Sequence, residues 1–297
     1  MNYEEFWELL TEELQEYFGE EFQFHHTTIK KANDVNLHAL VIKNGKVNVS
    51  PAIYLDHFFQ SYQNGELALF QIVDKIANIY EKAEITENFD ATFLSDYSMV
   101  KSILGASLVN TEKSKNLLMD IPHRKILDLS VTYCIYPKHG ETNETWSIPI
   151  KNQYLEAWGV TEEDLYQQVM KNIQNEFELV NLTEYLETVL GSIPEEKSVV
   201  SNNLYLLTNE RKVYGAVQLL NAPLLKIVAE IFQDDFYILP ASVHEVLLLP
   251  ASVKFVTLEE MEYTVKEVNR TQLATTEILS ENIYRYERIT ETITIVA

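Results

Sequence analysis

Four consecutive positions hold the side chains best suited to chemistry. In Phe236-Tyr237-Ile238-Leu239-Pro240-Ala241-Ser242-Val243-His244-Glu245-Val246-Leu247-Leu248-Leu249-Pro250, a polar Ser-Val-His-Glu island interrupts two strongly apolar runs. A hydroxyl, an imidazole and a carboxylate are the groups used for nucleophilic attack and proton transfer. Burying them unpaired would cost on the order of several kcal/mol. Two readings follow. Either the island turns outward at a tight connection between two strands, with His244 and Glu245 securing the turn, or these side chains meet partners in a cleft. The second reading makes a small hydrolytic or transfer site of His244 and Glu245, assisted by Ser242, Asn269 or Tyr237, with Tyr284 completing the candidate set.

Motif-dependent chemistry is excluded by spacing. The eight glycines stand at positions 19, 45, 65, 105, 140, 159, 191 and 215, so no two fall within a few residues of each other. A phosphate-binding P-loop, a dinucleotide fingerprint, a kinase glycine loop and a G-x-S-x-G nucleophile elbow all need paired glycines, and no cofactor is expected. His244-Glu245 is followed by Val246, Leu247 and Leu248, which leaves no second histidine one helical turn on for a zinc hydrolase. His25 and His26 are adjacent, and in a strand they point to opposite faces, so they cannot share one metal ion.

Asp56-His57 reads as a carboxylate at a helix start beside an exposed histidine, in preference to a general base with its orienter. The single cysteine, Cys134, rules out an intrachain disulfide and any multi-cysteine metal site. Its place in the alternating run Leu127 to Ile135 fits a packed thiol and suits a reducing compartment. A Ser-His-Asp or Cys-His site assembled from distant positions stays open, because such sites are defined by geometry and not by order.

The elements that must position these residues show in the apolar periodicity. Tyr3, Phe6, Trp7, Leu10, Leu14, Tyr17 and Phe18 form one stripe of a first helix that stops at Gly19, with eight glutamates and no Lys or Arg in residues 1–21. Strands are expected over Phe22–Lys30 and Val35–Ile42, then a turn at Asn44-Gly45 and a short strand Val47–Val49 ended by Pro51. Helices follow from Leu55 to Tyr62 and from Leu69 to Tyr80. A polar stretch, Glu84–Asp96, marks the boundary between two modules, residues 1–90 and 91–297.

Beyond it the periodicity predicts a helix through Val100, Ile103, Leu104 and Leu108, then strands over Ile126–Tyr136 and Thr145–Ile150 joined by the loop Pro137–Glu144. Thr161 caps a helix opened by Glu162, Glu163 and Asp164, with Leu165, Val169, Ile173, Phe177 and Val180 as its stripe. A shorter helix from Thr183 stops at Gly191 with Pro194 beyond. Strands Leu204–Thr208 and Val213–Leu219, a helix Pro223–Phe232, strands Phe236–Leu239 and His244–Leu249, a helix capped by Thr257 with Glu260, and a β-like tail Thr290–Val296 complete the chain. The fold class is α+β, with small antiparallel sheets packed against amphipathic helices.

The charge balance restricts partners. With 45 acidic residues against 23 basic ones, a net charge of −22, the molecule repels phosphate backbones and anionic lipid surfaces. The basic residues occur only in short groups such as Lys30-Lys31, His123-Arg124-Lys125 and Arg211-Lys212, too small for a phosphate-tracking stripe. Neither direct nucleic-acid binding nor membrane association is expected. The opening MNYEEFWELL lacks a basic leader and an apolar core, and Phe236–Val253 is interrupted by Pro240, His244, Glu245 and Pro250, so a soluble, cytoplasmic protein is expected.

Several of these segments also carry a resemblance. Val213-Tyr214-Gly215-Ala216, the Tyr237-to-Pro250 segment, Lys266-Glu267-Val268-Asn269-Arg270, Leu279-Ser280-Glu281-Asn282-Ile283-Tyr284 and Ser50-Pro51-Ala52-Ile53-Tyr54-Leu55 resemble a bacterial family, domain of unknown function five-six-eight-eight. The likeness covers most of the chain and implies a bacterial cytoplasmic protein, with neither reaction nor ligand attached. The family's turn reads Pro-Ser-Ser ahead of the His-Glu pair. Here Ala241 replaces the first serine, which weakens any serine-based chemistry.

The leading expectation is a non-catalytic binding or regulatory protein whose partner is another protein, given the missing cofactor motifs and the 17 tyrosines and 13 phenylalanines available for contact surfaces. The alternatives are the enzyme site at His244 and Glu245, and an acidic mimic of nucleic acid that blocks a DNA- or RNA-binding protein. Oligomeric state is not readable from the sequence.

Overall fold

A computed structural model describes residues 1–44, 50–82, 91–136, 147–190 and 203–297. Within these the fold is α+β, with three antiparallel sheets and amphipathic helices packed on them. The chain divides into two compact units, one built from Met1–Lys31 and Val35–Asp96, the other from Ala32–Asp34, Tyr97–Lys138 and Thr145–Ala297.

In the first unit, helix α1 (Tyr3–Phe18) opens with a capping box in which Asn2 and Glu5 satisfy each other's backbone N–H groups, and it ends at Gly19, φ 94°. Strands β1 (Gln23–Lys30) and β2 (Asn36–Lys43) pair antiparallel with Gln23 opposite Lys43, and β3 (Ala52–Tyr54) adds to β2, so the order is β1-β2-β3. Helices α2 (Asp56–Gln63) and α3 (Leu69–Lys82) follow. Phe6, Leu10 and Leu14 of α1 meet Leu40, Ile42, Ile53, Leu55, Phe58, Ile72, Val73 and Ile76 in one buried core. The helical stripe read from the sequence is the face that packs on this core, except Tyr17, which is 52% exposed. The Gly45 turn and the Val47–Val49 strand lie outside the described residues; β3 follows Pro51.

The second unit begins with a short helix, α4 (Tyr97–Val100), and strand β4 (Leu104–Asn110). After α5 (Lys115–Leu118), strands β5 (His123–Ile126) and β6 (Leu129–Ile135) form a hairpin; β6 is the centre of a sheet ordered β4-β6-β5, with β7 (Ile148–Pro149) also on β6. Helices α6 (Asn152–Trp158) and α7 (Glu162–Asn172) precede β8 (Glu178–Asn181), and α8 (Leu182–Leu190) follows it. Then come β9 (Tyr205–Thr208), α9 (Ala222–Phe232), β10 (Phe236–Pro240), β11 (Val246–Pro250), α10 (Leu258–Thr271), β12 (Tyr284–Glu287) and β13 (Thr292–Ile295). These strands give a sheet ordered β13-β12-β10-β11-β9-β8. Leu239 and Leu249 on one of its faces pack with Met261 and Val265 of α10, joined by Tyr237 and Leu247.

Four expectations need correction. The expected helix holds only as far as Val100 in α4 and Ile103, which closes a 3-10 turn; Leu104–Leu108 lie in β4, whose residues are buried on both faces except Ser107. A short apolar run buried on two sides has no period that separates strand from helix, and Gly105 sits where a Cβ would lie 2.1 Å from the Tyr136 ring. Ile126–Tyr136 is not one strand, because Leu127 (φ 58°) turns the chain between β5 and β6. The α7 stripe stops short of Phe177 and Val180: the helix ends at Asn172, Phe177 is 38% exposed, and Val180 belongs to β8. Val213–Leu219 is not a strand, since Lys212 and Tyr214 adopt positive φ and Gly215–Leu220 coils into a buried 3-10 helix. Of the remaining expectations, residues 84–90 of the boundary segment, the loop Pro137–Glu144, Thr145 and Trp146, and the stop at Gly191 and Pro194 lie outside the described residues.

Candidate functional site

The polar island is the connection between β10 and β11, whose last register pair is Pro240 with Val246. Ser242 is 2% exposed and ties the turn from inside. Its Oγ donates to Glu245 Oε1 at 2.6 Å and accepts the His244 backbone N–H at 2.9 Å, while its own N–H donates to the Glu245 carbonyl at 3.1 Å. The Val243 N–H donates to the Glu277 carbonyl at 2.9 Å and the Val243 carbonyl accepts from Ala216. The turn is thus fixed to the segment after α10 and to the 3-10 helix.

His244 is fixed from the other side. Its Nδ1 accepts the Tyr214 backbone N–H at 3.1 Å, its ring stacks on the Tyr214 ring with centroids 5.6 Å apart, and its carbonyl accepts from Thr208 Oγ1 at 2.8 Å. With Nδ1 serving as acceptor, the neutral ring carries its proton on Nε2, which faces Glu277 Oε1 at 3.9 Å. The approach is so close that a Cβ on Gly215 would lie 2.2 Å from Thr208 Oγ1 and 2.5 Å from the His244 carbonyl. Tyr214, whose N–H meets the imidazole, has a positive φ and directly precedes this glycine.

Asn269 and Tyr284 belong to a different network, centred on Asp128 at the β5–β6 turn. Tyr284 donates to Asp128 Oδ1 at 2.8 Å; Ser280 Oγ and Asn282 Nδ2 donate to Oδ2 at 2.7 and 3.0 Å. Ser280 Oγ also accepts the Asn282 N–H at 3.0 Å, and Asn269 Nδ2 donates to the Ser280 carbonyl at 2.9 Å. Asn269 Oδ1 is buried without a hydrogen-bond partner. Burial, and after it the Asp128 carboxylate, pushes the Tyr284 hydroxyl far above the ordinary phenol range. Tyr237 joins neither network and packs in the apolar cluster against α10. Of the six residues singled out by sequence, then, three converge in the turn, two share the Asp128 network, and one is core.

Chemically, the Ser242 hydroxyl is buried and bonded as both donor and acceptor, and the Nδ1 lone pair of His244 is occupied by a backbone amide, while His244 Nε2 comes no closer to Glu277 Oε1 than 3.9 Å.

The other combinations weighed from sequence also resolve into structure. His26 pairs with His38 (Nε2 to Nδ1, 2.9 Å), not with His25. Asp56 does not cap α2; its Oδ2 takes the His38 backbone N–H at 2.8 Å. Cys134 is a free, buried thiol, pushed up to about 12 by burial. Among the described residues, no group of three or more His, Cys, Asp or Glu could hold a metal ion, and no helix is long and apolar enough to cross a membrane.

Fold and turn together define an α+β protein of antiparallel sheets in which a buried polar turn locks two strands to a 3-10 helix. The chain belongs to the family of unknown function DUF5688, whose model matches residues 3–288. No curated protein and no solved structure matches it.

Proposed function

We propose that this is a non-catalytic protein-binding protein whose contact surface lies on α9 and the tip of the β12–β13 hairpin. The observation that carries this reading is three exposed isoleucines on that side of the second unit: Ile227 at 51%, Ile231 at 63% and Ile289 at 95% exposure. Ile227 and Ile231 are one helical turn apart and share a face. Ile289 stands between two contacts that hold the hairpin tip to the helix, Lys226 with Glu291 and Arg288 Nη2 with Gln233 Oε1. Single exposed isoleucines are ordinary, but a grouped set rimmed by charge marks an interaction surface.

The same helix buries Leu224, Leu225, Val228 and Ala229 in the unit, so the two isoleucines are not needed to anchor it. The enzyme reading draws no comparable support, because the side chains it needs are engaged in the turn. The test is capture from native lysate with the immobilised chain: an Ile231→Asp, Ile289→Asp double variant should melt within a few degrees of the parent and lose the captured protein. Equal capture by parent and variant would remove this surface from consideration.

A further inference from the structure

Helix α2 ends on a reactive pair of residues. Asn64 is its C-cap, and Gly65, with φ 72°, adopts the left-handed conformation of a Schellman ending. The Gly65 N–H donates to the Tyr62 carbonyl at 3.1 Å and the Glu66 N–H to the Ser61 carbonyl at 2.9 Å. Glycine serves here because it has no Cβ to strain. The same absence leaves its amide nitrogen unshielded toward the carboxamide of the residue before it, which it can reach by closing a five-membered ring.

Asn-Gly occurs at 44–45 and at 64–65, and the first pair reaches outside the described residues. At the second, Asn64 and Gly65 are both exposed, and a Cβ on Gly65 would meet no atom within 4 Å beyond its chain neighbours. Asn64 Nδ2 donates to Glu66 Oε1 at 3.2 Å, so the carboxamide is turned forward along the chain toward the residues that follow it. One restraint opposes reaction, the Gly65 N–H bond to Tyr62. It closes the final turn of an eight-residue helix, and helix ends fray.

We propose that Asn64 is a self-modification site, converted through a succinimide to aspartate and isoaspartate. In the frayed turn hydroxide takes the Gly65 amide proton and the nitrogen attacks Asn64 Cγ. The new N–C bond forms, the Cγ–Nδ2 bond breaks, and Nδ2 takes its proton from water and leaves as ammonia. Water then opens the ring. Cleavage of the new Cγ–N bond leaves aspartate; cleavage of the original backbone C–N bond leaves isoaspartate, with the chain rerouted through Cβ and Cγ. Either product sets a carboxylate at the C-terminal end of α2 beside Glu66, where the helix dipole and like charge disfavour it. Isoaspartate also lengthens the backbone within the turn that the Schellman ending closes. The site lies in the first unit and stands independently of the isoleucine surface on the second.

The test is peptide mapping by mass spectrometry of the full chain after incubation in mildly alkaline buffer. Position 64 should turn from amide to acid, faster as the pH rises, at a rate within about tenfold of that of the same chain unfolded in urea. The product should accept a methyl group from an isoaspartate-specific methyltransferase. Gly65→Ala should slow the conversion about tenfold, and because that variant strains a positive φ and could disturb α2, Asn64→Gln is the second arm. It keeps the glycine and an exposed amide but requires a six-membered ring, and its amide should outlast the parent's roughly a hundredfold. Direct hydrolysis by solvent would treat the two amides alike. A parent that keeps the position-64 amide while the unfolded chain converts, or an Asn64→Gln variant that converts as fast as the parent, overturns the proposal.

Discussion

At the level of single residues, the side chains of the Ser242–Glu245 turn bond to one another and to nearby backbone groups. The His244 Nδ1 lone pair faces a backbone amide and the Ser242 hydroxyl is closed between Glu245 and the His244 N–H. Replacing Ser242 by alanine leaves that amide without its acceptor and Glu245 without its donor. We expect Ser242→Ala to fold with about 1–3 kcal/mol less stability, read from urea denaturation with an unchanged m-value; a loss well under this range would mean that the bonds do not hold the turn. The grouping itself was legible because its polar residues are neighbours in sequence. Asp128 was not, because the side chains that bond it come from positions 152 to 156 residues later, and no local pattern announces a partner at that distance. The buried Cys134 was legible, since a thiol in an alternating apolar run has few other places to go.

At the level of elements, legibility followed whether the local signal was self-contained. Helices α1, α7 and α10 each carry a capping box and an apolar stripe in their own sequence, and each starts where its capping box falls. By contrast β4 and the 3-10 helix at Gly215–Leu220 are defined by what packs against them: Gly105 by the Tyr136 ring, Gly215 by Thr208 and the His244 carbonyl. Their apolar runs fit either strand or helix, and only the surroundings decide. Gly215 gives the element-scale prediction. A methyl group there meets Thr208 Oγ1, the His244 carbonyl and the Asn209 N within 2.6 Å, two of them backbone atoms, so the 3-10 helix must move off the turn. Gly215→Ala should cost about 1–3 kcal/mol and release the Tyr214 N–H from His244. Chemical denaturation and hydrogen exchange at Tyr214 would check both effects; a stability equal to the parent would show that the turn and the helix are not clasped as described.

At the level of the whole molecule, the α+β class was legible from the alternation of strand and helix signals, and the family match over residues 3–288 takes in residues of both units. In the first unit His26 lies beside His38. Partial burial, and after it the charge of His38, holds His26 below the ordinary imidazole value of 6.5, with Asp56 opposing. The folded chain therefore binds this proton less readily than the unfolded chain does. Its contribution to stability is intact above the ordinary value and is lost as the pH falls through it towards the lowered one. The melting temperature should drop between about pH 7.5 and 5.5, and His26→Gln should flatten that slope; a variant with the parent's slope would assign the dependence to other groups.

The central claim, that the working surface is the isoleucine group and not the polar turn, is tested most directly by site-specific photo-crosslinking. A benzophenone side chain is placed in turn at positions 231, 289 and 244 of the full chain, and the products formed in native lysate are compared. The account predicts the same crosslinked protein from positions 231 and 289 and none from 244. A partner or small molecule captured at 244, with positions 231 and 289 silent, would contradict it.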